Sequence, residues 1–390
     1  MRRTMTRAKI IVSSYYGTPN RGDQAIALAL CQRLQAAGVG SCALLVFPNT
    51  SPTDLIEGTT PITSGVLRGF RKTCSAIHGA SALIVGGGGL LQDSTSIGNV
   101  LFHASRICIA TLTGTPTYLV GIGVGPLKAV VSRLVLRQVL RHVKVVVVRD
   151  TDSPLELERL GVERERIIVG ADLAFLLDLP AETPNALPRE LERSKQGDTR
   201  LLGISLRPVV GTWRARRSGL AGGRLVAQSF VRLLDRLNVE GIRGVFVSMN
   251  PEQDHPTGAG LRLRLRDPDG LIVLDKATGI GDIIGAMVHL DGMLSMRLHA
   301  LVLAARMGVP IAAIAYDPKV RLLMRSLSQE GNVINLENVD DEQLYGLVMR
   351  LLEANCDGRE ALANAVDRQR QSAANAVRSV IDMMSEQERT

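Results

Sequence analysis

Aromatic residues make up only 3% of this 390-residue chain, too few for the stacked platforms on which proteins hold single-stranded nucleic acid. Its five cysteines, Cys31, Cys42, Cys74, Cys108 and Cys356, include no C-x-x-C pair. That spacing supports neither a zinc site nor a disulfide framework, and a reducing cytoplasm is the compartment to expect. The 6 histidines never form H-E-x-x-H or a similarly spaced cluster, so no protein-built metal site is expected. No apolar run approaches the roughly 18 residues of a membrane helix. The basic start, "MRRTMTRAKIIVSSYYG", has too short an apolar stretch for a secretory signal and reads as a solvated tail entering a first strand. Nucleotide fingerprints are missing too. No Lys-Ser or Lys-Thr follows the glycines of "LIVGGGGLLQDSTS", and in "GIGVGP" the third glycine comes one residue early, with proline after it. Both a P-loop and a dinucleotide redox cofactor are thereby disfavoured.

What is present is an Ala/Val/Leu/Ile-rich composition, 45% apolar and 22% charged, typical of a globular protein. The length favours two domains. An excess of 46 Lys+Arg over 38 Asp+Glu gives a formal charge of +8. Most of it is arginine, whose planar fork suits phosphates and carboxylates. The charge is dispersed, which together with the shortage of aromatics argues against nucleic acid.

Short apolar runs ending in glycine alternate with helical patterns: "KIIVSSYYG", "DQAIALALCQRLQAAG", "SCALLVFP", "ASALIVGGGG", "TPTYLVGIGVGP", "VVSRLVLRQVLRHV" and "VKVVVVRD". Such alternation predicts buried parallel strands covered by helices, an α/β fold with ligands at the carboxyl ends of the strands. A polar, proline-containing stretch at about 180–200 precedes a second series, "RLLGISLRP", "GIRGVFVSMNP", "GLIVLD", "HLDGMLSM" and "VPIAAIAYD". The expectation is two Rossmann-like domains facing across a cleft, residues 1–185 and 200–340, followed by a helical tail at 341–390.

Four places carry candidate chemistry. In "YYGTPNRGDQAIALAL", Asn20, Gly22 and Asp23 stand between a strand and a helix, with Asp23 a plausible N-cap and the helix amides open to an anion or a sugar hydroxyl. A simple capped turn explains the same residues. The four glycines Gly86, Gly87, Gly88 and Gly89 after a buried strand permit close approach of a ligand to the backbone, although a sharp turn with positive φ is the alternative. "GISLRP" ends a strand with Arg207, and "SMRLHA" ends another with Arg297 and His299. If Arg297 and His299 are both in a strand, they face the same way. A guanidinium can then hold an anion beside a histidine able to exchange a proton. Salt-bridged and core roles are the bland alternative. Of the other histidines, His103 could approach the cleft from the first domain, and His255 could serve it from a loop with Asp254; His78, His142 and His289 read as packing or surface.

Seven ordered blocks, "GTPNRGDQAIALAL", "LIVGGGGLLQDST", "YLVGIGVGPL", "VVVRDTDSPLELERLGV", "VGADLAFLL", "GISLRP" and "SMRLHALVLAARMGVPIAAIAYDPKV", resemble the polysaccharide pyruvyl transferases, particularly their CsaB-like branch. The resemblance covers about residues 9–325 and implies a GT-B-like fold. It also implies transfer of an enolpyruvyl unit from phosphoenolpyruvate onto two hydroxyls of one sugar, with release of phosphate and no other cofactor. On this resemblance Arg207, Arg297, Leu298 and His299 form the phosphoenolpyruvate site in the second domain, with His299 as proton donor. Asn20, Asp23 and Gly87 to Gly89 would bind the saccharide acceptor, free or lipid-linked, in the first. The sequence departs from the family's G-N-x-G-D-E-A form at Gln24, which puts the identity of the sugar in doubt.

A nucleotide-sugar glycosyltransferase is the rival with the same fold; it would need an acid for the donor ribose, for which "VGADLAFLL" offers Asp172. A sugar-binding protein without catalysis is a second rival, and it predicts no phosphate release. The basic segments "RGFRK" and "GTWRARRSG" could dock a cytoplasmic enzyme on the inner face of an anionic membrane; an ordinary soluble surface is the alternative.

Overall fold

A computed structural model describes residues 9–39, 41–46, 56, 58–64, 69–94, 96–178, 191, 199–208, 221–274, 278–354 and 356–387. The chain divides into two compact units. One comprises Met1–Thr18, Asp23–Asp178 and Arg368–Thr390; the other comprises Pro19–Gly22 and Leu179–Asp367.

The first unit is built on a seven-stranded sheet of β1 (Lys9–Ser13), β2 (Ser41–Val46), β3 (Thr59–Thr63), β4 (Ala82–Leu91), β5 (Thr117–Val124), β6 (Val143–Val148) and β7 (Ile167–Val169). The strands lie in the order β3-β2-β1-β4-β5-β6-β7, and every pairing is parallel. Burial runs along nearly the whole of β1, β4 and β5, because helices cover both faces. Hence these strands read as continuous apolar runs rather than alternating ones. Helix α1 (Arg21–Ala36) packs Ile26 and Leu30 against the glycines of β4. Helices α2 (Phe70–His78), α3 (Ile97–Thr113), α4 (Val130–Leu140) and α5 (Ser153–Arg159) share one apolar core with the strands, including Ile77, Val100, Ile107, Leu136 and Leu157. Each fully buried side chain of this kind contributes about 1.5–3 kcal/mol of transfer free energy.

The second unit repeats the scheme with six parallel strands: β8 (Arg200–Ser205), β9 (Ile242–Phe246), β10 (Leu271–Val273), β11 (Gly292–Ser295), β12 (Ile311–Ala315) and β13 (Val333–Asn335). Their order is β10-β9-β8-β11-β12-β13. The helices are α6 (Ala221–Val239), α7 (Pro251–Arg262), α8 (Ile280–Met287), α9 (Leu298–Arg306), α10 (Pro318–Ser326), α11 (Asp341–Leu352) and α12 (Cys356–Gln387). In both sheets the chain order reverses once, between β1 and β4 in the first and between β8 and β11 in the second. At such a reversal, successive helices leave for opposite faces and a crevice opens outside the carboxyl ends of the two central strands.

The unit boundaries differ from the sequence expectation in two places. The stretch expected to be a separate tail is divided, with α12 crossing from the second unit to the first at Arg368. There the Tyr118 hydroxyl donates to Gln387 Oε1 at 2.8 Å. Pro19–Gly22, expected in the N-terminal domain, groups with the second unit, where the Arg21 amide donates to the Met249 carbonyl at 2.8 Å. Both are long-range packing decisions that local periodicity does not encode. Among the described residues no helix is long and apolar enough to cross a membrane.

Candidate functional site

In the second unit, β8 and β11 are register partners through Leu202–Ser205 and Gly292–Ser295, with Ser205 opposite Ser295. Arg207 and Arg297 each lie two residues beyond that pair, so both leave neighbouring strands at the reversal point of the sheet. The two serines hold these strand ends. Ser205 Oγ donates to the Val247 carbonyl at 2.7 Å. Ser295 Oγ accepts the Arg297 amide at 2.8 Å, and its own proton faces the carbonyls of Ser205 at 3.2 Å and Arg297 at 3.0 Å.

Arg297 is not in the strand. It is the N-cap of α9 with φ −87° and ψ 118°, and the helix begins at Leu298. The strand alternation that would aim Arg297 and His299 the same way therefore does not apply. What positions them is the helix start, whose first amides, including that of Leu298, have no carbonyl partner four residues back. His299 is half-buried and sits against Gly22: a Cβ on Gly22 would lie 2.1 Å from His299 Nδ1 and 2.6 Å from Cγ. Only glycine fits there. The Asn20 side-chain oxygen accepts the Gly22 amide at 3.1 Å, so Asn20 shapes the loop beside His299 within the second unit, rather than serving the first.

Arg297 is oriented by a carboxylate. Its Nε donates to Asp254 Oδ2 at 3.0 Å and its Nη2 to Asp254 Oδ1, a two-point contact, with a further contact to Gln253 Oε1 at 3.3 Å. The Asp254 side chain is 0% exposed and that of Arg297 is 16% exposed. Burial pushes the Asp254 carboxyl above its ordinary value against the opposing pull of Arg297, the Asn250 amide and the charge of Arg207. Arg207 lies over the Tyr316 ring, its Cζ 4.7 Å from the centroid, and among the described residues its buried Nε has no hydrogen-bond partner. Asp254 and His255 are not on a loop: both belong to α7, and Asp254 is consumed by Arg297.

The matching reversal point of the first unit gathers the other candidates. Gly86 to Gly89 lie inside β4 rather than after it, with φ +77° at Gly87 and +92° at Gly88, and the pairing with β5 slips between Gly88 and Leu91. A bulge, not a loop, is what the glycines build. A Cβ at Gly87 would meet Ile26 Cγ2 at 1.8 Å, so Gly87 serves helix packing. Gly88 and Gly89 face polar groups: Asp23 Oδ1 lies 3.5 Å from the position of a Gly88 Cβ, and Gln92 and Arg149 lie 3.0 and 3.9 Å from that of Gly89.

One residue of this edge, Arg149, is not among the candidates that the sequence offers. Arg149 directly follows β6 in "VVVRD" as Arg207 and Arg297 follow their strands, a pattern that singles it out. Its Nη1 bonds Asp172 Oδ2 at 2.6 Å with both side chains nearly buried. Asp172 caps a 3₁₀ turn, accepting the Ala174 amide at 3.0 Å; it is not in a strand and is engaged by Arg149, not displayed for a ribose. His103 is no cleft residue either. It is 0% exposed, edge-on to Tyr15 and Phe102, and burial followed by the Arg106 charge holds its imidazole down to about 3. Tyr15, bonded to Asn99 beside it, is pushed up to about 12 by burial and by Asp23. Among the described residues no three His, Cys, Asp or Glu side chains gather as a metal site.

The model of the polysaccharide pyruvyl transferase family matches residues 20–318, which contain every candidate above from Asn20 to Tyr316. The amylovoran biosynthesis protein AmsJ of Erwinia amylovora is 24% identical over 274 residues; the match covers 67% of this chain and 64% of AmsJ. Among solved structures, a putative UDP-N-acetylglucosamine 2-epimerase from Listeria monocytogenes superposes with TM-score 0.67 at 14% identity, covering 98% of both chains. The Anabaena HepE complex with UDP and glucose gives 0.61 at 12% identity, over 97% of this chain and 100% of that one. At such identities these likenesses establish the fold, the GT-B type expected from the sequence.

Proposed function

The chain belongs to the polysaccharide pyruvyl transferase family, and from that premise we propose that it moves a pyruvyl group from phosphoenolpyruvate onto a sugar of a cell-wall or exopolysaccharide precursor, forming a ketal and releasing phosphate. The observation that carries the reading is the pairing of Arg207 and Arg297 on neighbouring strand ends at the reversal point of one sheet, with His299 two residues further on at a helix start. Phosphoenolpyruvate carries two anionic groups, and two guanidinium groups beside the Leu298 amide at a helix start match them.

In the proposed reaction His299, protonated, gives its proton to the methylene carbon, which becomes the methyl group. Positive character develops at C2, and a sugar hydroxyl attacks there as it loses its own proton. The C2–O bond to phosphate then breaks, with Arg207 and Arg297 stabilising the charge on the departing oxygen. Attack by the second hydroxyl closes the ketal, and the two hydroxyl protons restore His299 and pass to phosphate or solvent. Asp23, Gly88 and Gly89 are assigned to the acceptor. Gly87 keeps its packing role, and Asn20 is reassigned to the loop behind His299.

The test is phosphate release from phosphoenolpyruvate by wild type and His299→Ala with a panel of hexose and N-acetylhexosamine acceptors, with product masses measured. Acceptor-dependent phosphate and a ketal of matching mass, both lost in the variant, are expected. Turnover of a nucleotide sugar without phosphate release would instead favour the glycosyltransferase reading.

A further inference from the structure

The outer surface of α2 to α5 differs from the rest of the molecule. Eight of the thirteen large apolar side chains that stand exposed among the described residues lie on these four helices. Leu112 apart, all sit in the N-terminal half of their helix: Ile97 and Leu101 on α3, Val130, Val131 and Leu134 on α4, Leu155 on α5, and Phe70 at the start of α2. In a parallel βα sheet the helix starts lie at the carboxyl edge of the strands. This apolar rim therefore borders the edge at which Gly88 and Gly89 stand. It is densest on α4, where Val130, Val131 and Leu134 are 60%, 54% and 60% exposed. Beside them a groove of about 200 Å³ runs between α4 and α5, lined by Leu127, Val130, Leu134 and Leu160 and, in equal number, by charged side chains that include Glu156.

Along α2 to α4 the charge around this rim is positive, while α5 and its start carry the carboxylates Asp150, Asp152, Glu156 and Glu158. From Ser94 to Arg149 the sequence runs 56 residues without Asp or Glu and holds seven Lys and Arg. Of these, Lys128, Arg133, Arg137 and Arg141 are exposed on or next to α4, and Arg71 and Lys72 flank Phe70 on α2. Most of the bordering carboxylates are engaged: Asp93 accepts the amides of Lys128 and Ala129 at 2.7 and 2.8 Å, Asp150 accepts those of Asp152 and Ser153 at 3.2 and 2.8 Å, Glu156 bonds Arg159, and Glu158 faces Arg164 at 3.6 Å; Asp152 stands exposed at the start of α5. A second copy of the chain on a twofold axis would set this basic face against itself. A surface of negative headgroups over hydrocarbon matches both halves of the pattern, because apolar side chains enter the headgroup boundary while guanidinium groups meet phosphates.

We propose that the α2 to α5 face of the first unit docks on an anionic lipid bilayer, holding the carboxyl edge of its sheet at the membrane surface. Of the two basic segments that the sequence offers for membrane contact, "RGFRK" contributes Gly69–Lys72 to this face, and "GTWRARRSG" lies outside the described residues. The docking is independent of the transfer chemistry; only its use in presenting a lipid-linked acceptor rests on the proposed function.

The experiment is co-sedimentation of the full chain with phosphatidylcholine vesicles and with phosphatidylcholine–phosphatidylglycerol vesicles, which requires no turnover. Binding to the anionic vesicles, weakened by salt, is expected. Val130→Ser/Leu134→Ser should weaken it at least about 10-fold, and Lys128→Gln/Arg137→Gln about 25-fold, at roughly 5-fold per charge. Unchanged melting temperatures would show that both variants are folded. Equal binding to neutral vesicles, no binding at low salt, or anionic binding untouched by either variant would overturn the proposal. So would a dimer in solution that the Val130→Ser/Leu134→Ser variant dissolves.

Discussion

Replacing Arg297 with methionine tests more than the proposed substrate binding, because it strips the partner from a carboxylate that is 0% exposed. Breaking a buried ion pair from one side costs about 3–5 kcal/mol. The Asn250 amide, 2.8 Å from Asp254 Oδ2, and the charge of Arg207 remain to soften that loss. Burial already pushes the Asp254 carboxyl up while Arg297 pulls it down, so without Arg297 it rises further above its unfolded value. A carboxyl of this kind binds its proton more tightly when folded. Its penalty is therefore full above the folded pKa and shrinks as pH falls toward the unfolded one, by up to about 1.4 kcal/mol per pH unit. Denaturant unfolding at about pH 7.5 and pH 5.5 should show Arg297→Met destabilised by about 3–5 kcal/mol at the higher pH, and by up to ~2.7 kcal/mol less at the lower. Arg297→Met/Asp254→Leu removes both charges and should recover most of the stability, since apolar replacement of a buried pair is often neutral or better. It should still fail to bind phosphoenolpyruvate. A single variant within about 1 kcal/mol of wild type, with a deficit that pH does not move, would refute the claim that Asp254 is a buried anion held by Arg297.

Two further outcomes follow from the same structure. Gly22→Ala puts a methyl 2.1 Å from His299 Nδ1, so the imidazole must leave its position. Phosphate release should fall about tenfold or more, the effect of displacing a proton-transfer group, and unchanged turnover would show that this placement of His299 is not the working one. His103, held down to about 3 in the folded protein by burial, stays neutral while the unfolded chain takes up a proton below its ordinary value of 6.5. Its contribution is thus fully present above that value and is lost as pH falls, by about 2 kcal/mol at pH 5. His103→Leu should flatten this acid limb in unfolding measured between pH 7 and pH 5, and an unchanged slope would assign acid sensitivity to other groups.

Legibility from sequence tracked the range of the interaction involved. The strand "KIIVS" and the run "VKVVVV" declare themselves because burial on both faces demands continuous apolar residues, and β1 and β6 appear where those runs stand. The candidate triplet Arg207, Arg297 and His299 stands out in the sequence for a similar reason: each lies just past a strand, where parallel sheets place their ligands. Glycine proved ambiguous. Positive φ and close approach to a helix need it as much as a ligand does, and Gly87 turned out to accommodate Ile26. The histidines misled because the sequence shows a residue's neighbours along the chain only; His103 meets Tyr15, 88 positions away, and that contact buries it.

The sequence by itself therefore determined the α/β character, the approximate division into two series, and the family, since all three reside in local periodicity and short ordered blocks. Tertiary structure alone decided that Asp254, 43 positions before Arg297, orients it, that Pro19–Gly22 packs with the second unit against His299, and that α12 returns to the first. It also collected the apolar starts of α2 to α5 into one face, basic along α2 to α4. Each of these depends on which strands become neighbours, and strand order is settled by packing the whole sheet, a sum over distant contacts that no window of sequence contains.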